Sequence, residues 1–437
     1  MFNERVRLVL PLAVAVISVW AARSLAVDWP QWRGPGRDGV WTETGLIERF
    51  ESDRLPVKWR AEVGSGYCGP TVADGRVFVT DRVTAPEPQE RVHCLDARAG
   101  QRLWSYAYDC RYQKVQYQAG PRAAVTVNEG RAYSLGTMGH LHCFDAASGQ
   151  VLWRHDCRAE YEARVPIWGI ASAPLVEGDL LIAQIGAKDN GCLMAFDKAS
   201  GRERWRALDD GVSYAAPIVI EQAGRRVLVC ITGQRVVGLD PMTGRLFWEL
   251  PFAPRRMVIT IATPVFDGEH LMATSFYDGS LLLKVHADKL AVEELWRRRG
   301  ASERDTDALH CCISTPWILG EHIYGVDSYG QLRCLDVKTG DRIWEDLTAT
   351  PKERWSNIHM VRNGEKIWMF NERGELIISR LSPKGFHEIS RAKLIDPTTD
   401  QLDLRGGVCW SHPAFAGRCV YARNDREIVC ADLSARE

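Results

Sequence analysis

One spaced trio recurs along the chain: Asp, three residues, Gly, three residues, Trp. It stands at Asp96-Gly100-Trp104, Asp145-Gly149-Trp153, Asp197-Gly201-Trp205, Asp240-Gly244-Trp248 and Asp336-Gly340-Trp344. Successive aspartates lie 49, 52, 43 and 96 residues apart, and the last interval is two periods. The copy between them is VHADKLAVEELW, which ends at Trp296 and has lost its glycine. A weaker copy is SRLSPKGFHEIS at 379–390, and IVCADLSARE at the C-terminus is a copy without its last strand. By length alone a chain of 437 residues suggests two or three domains. A repeat array is one unit however long it runs, so the period overrides that reading.

Each repeat has the same internal order. Residues 120–153 read as AAVTV, a turn at NEGR, AYSLGT, a turn at Met138-Gly139, HLHCFD, a turn at Ser148-Gly149, and QVLWRH. Four short strands in a period of roughly 40–50 residues are the signature of a propeller blade. The motif residues suit that role. Glycine supplies the positive φ of the last turn. The aspartate starts that turn and accepts from backbone N–H groups further on. The tryptophan is a flat spacer between packed blades, with an N–H for a backbone partner. Ahead of the first blade, Pro56-Val57-Lys58-Trp59-Arg60 reads as a fourth strand with no blade of its own, and the C-terminal copy has three strands. Joining them closes the ring. Counting Trp59, Trp104, Trp153, Trp205, Trp248, Trp296, Trp344 and the Ile389 position predicts an all-β, eight-bladed propeller of four-stranded antiparallel blades. Closure removes open sheet edges between blades.

Charge excludes some functions. With 55 basic and 56 acidic residues there is no electrostatic case for nucleic acid or a polybasic membrane face. At the N-terminus, Arg5 and Arg7 precede an apolar stretch from Leu8 to Ala22, and Ser24-Leu25-Ala26 is a small-x-small cleavage site. This pattern is that of a secretory signal. The expected layout is a signal peptide at 1–26, a lead-in at 27–55 and the propeller at 56–437, exported to the periplasm or another extracytoplasmic space. An uncleaved N-terminal segment would instead tether the chain to a membrane. Cys94, Cys143, Cys334 and Cys430 each stand two residues before a repeat aspartate and read as small core residues. Cys110 and Cys157 occupy equivalent loops, where export permits a disulfide.

The five full copies resemble the PQQ-type (quinoprotein-like) β-propeller repeat, A-x-D-x-x-T-G-x-x-x-W, over about residues 56–433. Two branches share that repeat. One is the quinoprotein alcohol dehydrogenases, which hold pyrroloquinoline quinone (PQQ) and Ca²⁺ over the channel. The other is non-catalytic scaffolds such as the propeller lipoprotein of outer-membrane barrel assembly. Asp28-Trp29-Pro30-Gln31-Trp32-Arg33-Gly34-Pro35 with Arg37-Asp38-Gly39 looks like the lead-in of exported bacterial PQQ-like repeat proteins.

The dehydrogenase branch implies a Ca²⁺ held by hard oxygen ligands, a carboxylate base, a stacking Trp and a disulfide between adjacent cysteines. Cys311-Cys312 has the local form of that pair, within DALHCCISTPW. Its reading from the residues is two cysteines at the start of a strand, one of them buried. Asn357, Asn371, Glu372, Asp278 and Asp327 are available as ligands, but no spacing makes them a set. His140 and His142 share a strand face and could meet a metal, or hydrogen-bond between blades. Gly-x-Ser-x-Gly, His-Glu-x-x-His and Walker motifs are absent. At about 48 residues per blade, almost none are spare for insertions around a catalytic site. The loops expected at the channel mouth are instead aromatic and basic: Tyr67, Arg122, Trp168, Tyr214, Arg256, His310, Trp355, Trp410 and His412. The expectation is a non-catalytic binding or scaffold propeller, with no cofactor, engaging a protein or glycan partner through this funnel. The alternative is a PQQ- and Ca²⁺-dependent alcohol dehydrogenase.

Overall fold

The structure is a computed structural model describing residues 27–435; the segment read as a signal peptide lies outside them. Eight four-stranded antiparallel sheets follow one another along the chain. Blade 1 is built from Thr71–Ala73, Arg76–Val83, Gln89–Asp96 and Arg102–Asp109. Blades 2 to 7 repeat that order and end on outer strands Val151–Asp156, Glu203–Ala207, Leu246–Pro251, Val292–Arg298, Arg342–Asp346 and Gly385–Lys393. Blade 8 takes Ala414–Ala416, Cys419–Arg423 and Glu427–Asp432 from the C-terminus, and Val57–Glu62 from the N-terminus as its outer strand. That seam pairs Arg60 with Val429 and Glu62 with Glu427. No described helix is long and apolar enough to cross a membrane.

The inner strands are shorter than the sequence suggests. In blade 2 only Thr126 and Val127 of the run AAVTV fall in the strand Thr126–Asn128; of the residues before them, Arg122 and Ala124 reach the channel while Ala123 and Val125 pack between blades.

The repeat residues clasp neighbouring blades. Asp96 Oδ1 accepts from Arg98 N (2.9 Å) and Ala99 N (2.7 Å), which holds the last turn of blade 1. The outer-strand tryptophan of one blade then donates to the carbonyl just after the aspartate of the next. Trp59 Nε1 reaches Ala97 O (3.0 Å), Trp104 reaches Ala146 O (3.0 Å), Trp153 reaches Lys198 O (3.2 Å) and Trp205 reaches Pro241 O (3.1 Å). Trp296 does the same with Val337 O (2.7 Å). Blade 5 has lost the aspartate turn, and Trp248 turns to Gln222 Oε1 (2.9 Å) in its own blade instead. The glycine lies against the ring of this Trp. At Gly149 φ is +76°, and an added Cβ would sit 2.6 Å from the Trp104 ring.

All thirteen cysteines are buried and free. Cys94, Cys143, Cys334 and Cys430 are each fully buried. Cys110 and Cys157 do not pair: Cys110 packs with Val115 and Met138, whereas Cys157 joins the cluster between blades 2 and 3. Both members of Cys311-Cys312 are buried, not one. Cys311 enters a cluster with Leu309 and Ile323, whereas Cys312 packs with Ile259 and Phe276.

Candidate functional site

Each blade has one equivalent residue near the start of its inner strand, two positions ahead of it in every blade but the seventh, where it lies within the strand. In blade order these are Gly69, Ala124, Ala173, Ala216, Thr263, Thr315, His359 and His412. Trp32 of the lead-in stands among them. It packs against Ala124, Ala173 and Ala216, donates from Nε1 to Thr263 Oγ1 (2.7 Å), and meets the edges of His412 (4.7 Å) and His359 (6.4 Å). The lead-in reaches this position from the end of the ring opposite the loops. Trp29 bridges to Val72, and Val127 N donates to Pro30 O (2.8 Å). Arg37 is buried and donates to Ala173 O (3.0 Å) and Pro174 O (2.9 Å), which fixes the segment under blade 3. The channel is therefore closed at one end, and Trp32 is its floor.

Above that floor is a pit of about 160 Å³. Its walls include Tyr67, Tyr117, Arg122, Trp168, Tyr214, Trp355, Trp410, His359 and His412, with Ile261, Cys312 and Ile313 between them. Seven of the nine funnel residues expected from sequence line it: Tyr67, Arg122, Trp168, Tyr214, Trp355, Trp410 and His412. Two lie elsewhere. Arg256 is exposed, with its guanidinium over the Tyr277 ring at 5.4 Å. His310 is fully buried beneath the loops, donating from Nδ1 to Phe276 O (3.0 Å) and accepting from Gly300 N (3.1 Å). Trp32, Tyr117, His359 and Ile313 were missed. The inner-ring residues had a faint signal: Gly69, Ala173, Ala216, Thr263, Thr315 and His412 each precede a proline.

The walls are braced from behind. Glu372 is buried and takes Arg405 (2.6 and 2.8 Å), Ser356 Oγ (2.8 Å) and Trp410 Nε1 (3.2 Å). One carboxylate thus ties the Trp355 loop to the Trp410 loop. Gln401 adds a second brace: Trp410 N donates to its Oε1 (2.7 Å), and Tyr67 Oη donates to its carbonyl (3.0 Å). Trp168 stands 5.3 Å from Tyr214 and 5.9 Å from Tyr117, and Tyr117 stands 6.1 Å from Trp355.

Electrostatically the pit is almost neutral. Burial drives the His359 imidazole down to about 4 and that of His412 down to about 3, so both are uncharged near neutral pH. Burial pushes the Tyr214 phenol up to about 12, and raises those of Tyr67 and Tyr117. Arg122 is the only permanent charge on the walls. Its donors go to Gly120 O, Gln116 O, Tyr117 O and Thr137 Oγ1, and it has no ion pair among the described residues. Two fully buried polar atoms of these residues have no partner: Trp168 Nε1, a donor, and His412 Nε2, left as an acceptor because Nδ1 donates to Pro413 O (3.3 Å).

None of the lining residues is Asp or Glu. Among the described residues, no cluster of three His, Cys, Asp or Glu is placed to hold a metal ion. The acids considered as ligands are engaged within their own surroundings. Asp327 pairs with Arg333 (3.0 Å) and takes His310 N (2.6 Å), Asp278 takes Arg255 N (2.9 Å), and Glu372 braces the wall. These walls do not match the hard-oxygen preference of Ca²⁺. The volume also falls below the roughly 300–1,000 Å³ usual for cofactor-sized ligands. His142 is buried among rings, stacked on Phe144 and meeting Tyr106 and Tyr108 at an angle.

The sequence model of the family of the outer membrane protein assembly factor BamB matches residues 88–346. Among solved structures, BamB from Moraxella catarrhalis is similar at 17% identity and a TM-score of 0.58, over 88% of this chain and 99% of that one. Quinohemoprotein alcohol dehydrogenase from Comamonas testosteroni is similar at 12% identity and a TM-score of 0.65, over 94% of this chain and 81% of the other. At these identities the likeness is one of fold. No curated protein sequence matches significantly.

Proposed function

The chain belongs to the family of the outer membrane protein assembly factor BamB, and from that premise we propose that it is an extracytoplasmic, non-catalytic binding propeller. Its pit receives an apolar, predominantly aromatic group from a protein partner. The observation that carries this reading is the wall composition: six Tyr and Trp side chains above the Trp32 floor, one cation, no carboxylate. Such a surface gains free energy by desolvating a flat apolar group, and aromatic and Arg side chains concentrate at the centres of protein interfaces. A sugar ring presents several hydroxyls, and these walls carry no Asp, Glu, Asn or Gln side chain to bind them. Export follows from the N-terminal residue pattern, and the naming of the family for outer-membrane assembly is in keeping with it.

Two measurements test the reading together. A photo-crosslinking residue at Ile313, in the exporting cell, is expected to give a discrete protein adduct that disappears when Trp355→Ala is added. Titration of residues 27–437 with PQQ, with and without Ca²⁺, is expected to leave Trp fluorescence without a saturable response. Tight, Ca²⁺-dependent quenching would instead make the protein a quinoprotein and overturn the proposal.

A further inference from the structure

A second and wider cavity, of about 930 Å³, opens beside the pit where blades 8 and 1 meet. Tyr117 is a wall of both, so the two form one continuous surface. Their chemistry is opposite. The second groove carries Asp400, Asp403 and Asp425, and Arg82 is the only cation lining it. Arg82 is already committed: Nη1 donates to Gln118 O (2.7 Å), and the guanidinium lies over the Tyr112 ring at 4.0 Å. None of the three aspartates has an ion-pair partner among the described residues. Asp400 and Asp403 are exposed, whereas Asp425 is 3% exposed.

Asp425 turns this from a patch of acids into a built site. Its Oδ2 accepts from Thr398 Oγ1 (2.6 Å), Asp400 N (3.1 Å) and Gln401 N (3.3 Å). Its Oδ1 is buried and has no partner. A buried acceptor left unmatched costs roughly 1–3 kcal/mol, and a cationic donor from outside removes that cost. Arg423 is near but cannot serve, because it spends its donors on Thr80 O (2.8 Å), Asn424 O (2.9 Å) and Gly64 O. Burial raises the Asp425 carboxyl in spite of the nearby Arg423 charge.

We infer that the groove takes a lysine or arginine side chain of the same partner segment whose aromatic residue fills the pit. Resting on the binding reading above, this defines the partner as a peptide segment with an aromatic and a basic residue close together. A lone metal ion suits the groove less well, because its volume is far beyond that of an ion and, among the described residues, its carboxylates do not converge into a group of three.

The test uses residues 27–437 and short N-acetylated peptide amides in which one Tyr and one Arg are separated by up to a few Gly. Binding is read as quenching of the pit tryptophans, with Arg→Glu and Tyr→Ala peptides as comparators. The Tyr-Arg peptide of matching spacing is expected to bind about tenfold more tightly than its Tyr-Glu counterpart. Asp400→Asn with Asp403→Asn, both at exposed positions, should erase most of that preference without moving the melting temperature. Asp425→Asn should erase the rest. Equal affinity for Tyr-Arg and Tyr-Glu peptides would overturn the acidic groove while leaving the aromatic pit standing. Arg-dependent binding that survives both Tyr→Ala and Trp355→Ala would uphold the groove and overturn the pit. Quenching by neutral oligosaccharides in place of any peptide would overturn both.

Discussion

Five histidines of this protein are buried with lowered proton affinity, and three of them are shifted far: His142 to about 3, His359 to about 4 and His412 to about 3. In each the largest cause is burial, which disfavours the charged ring. The unfolded chain, with its ordinary value near 6.5, takes up protons that the folded chain refuses. The stability these residues contribute is therefore complete above about pH 6.5 and is lost as pH falls from there toward 4. Each is expected to remove about 1.4 kcal/mol per pH unit within that window. Urea unfolding at pH 7 and pH 5 should show the loss. His142→Phe, which keeps the stack on Tyr106 and Phe144, should shrink it by one histidine's share; an unchanged slope would mean His142 is charged in the fold. Residues of this kind were hard to recognise in the sequence. His310 and His412 both stand ahead of an inner strand, yet one is sealed between blades 5 and 6 and the other faces the pit. Which side a loop side chain takes depends on the neighbouring blade, and no local pattern records that.

At the scale of the blade, the sequence was far more legible, because Asp, Gly and Trp answer to local rules. The turn needs positive φ, the aspartate caps it, and the Trp must lie against a residue with no side chain. The steric part can be separated from the backbone part by comparing two glycines. Gly75 has φ +70° and nothing within 4 Å of an added Cβ, whereas at Gly149 the Trp104 ring would be met at 2.6 Å. Gly75→Ala is expected to cost about 1 kcal/mol, the backbone penalty alone. Gly149→Ala should cost about 3 kcal/mol, since the packed ring must also move. Denaturant midpoints of the two variants, at constant m-value, measure the difference. In the double variant Gly149→Ala with Trp104→Ala the excess should vanish; equal costs for the two single variants would mean the Trp clasp carries no packing strain. The lead-in shows where such legibility ends. It has no repeat, so nothing in its residues announced that Trp32 would be the floor of the channel. That position is fixed by a ring of small residues drawn from blades distant in sequence.

For the whole molecule, the seam in blade 8 is the one place where the ring is held by strands from opposite ends of the chain. The pairing of the N-terminal strand with the C-terminal copy was legible, because a lone fourth strand and a three-stranded remainder complete each other. Its energetic consequence follows from loop-closure entropy. Every other strand pair closes a short loop, whereas the Glu62–Glu427 pair closes nearly the entire chain. A covalent link there removes much more freedom from the unfolded state than one across a hairpin. Glu62→Cys with Glu427→Cys places thiols on directly opposed seam residues, while Lys284→Cys with Glu293→Cys does so within the last hairpin of blade 5. The thirteen native thiols are buried, which leaves the introduced pairs as the accessible ones to oxidise. On the chain-entropy account the seam cross-link should stabilise by about 3 kcal/mol more than the hairpin cross-link. Each gain is measured as oxidised against reduced protein in denaturant unfolding. A larger gain at the seam would mean that the ring unfolds as one closed unit whose ends part in the transition. Equal gains would mean that the blades come apart elsewhere first, and that the seam is no weaker than the Trp clasps between its neighbours.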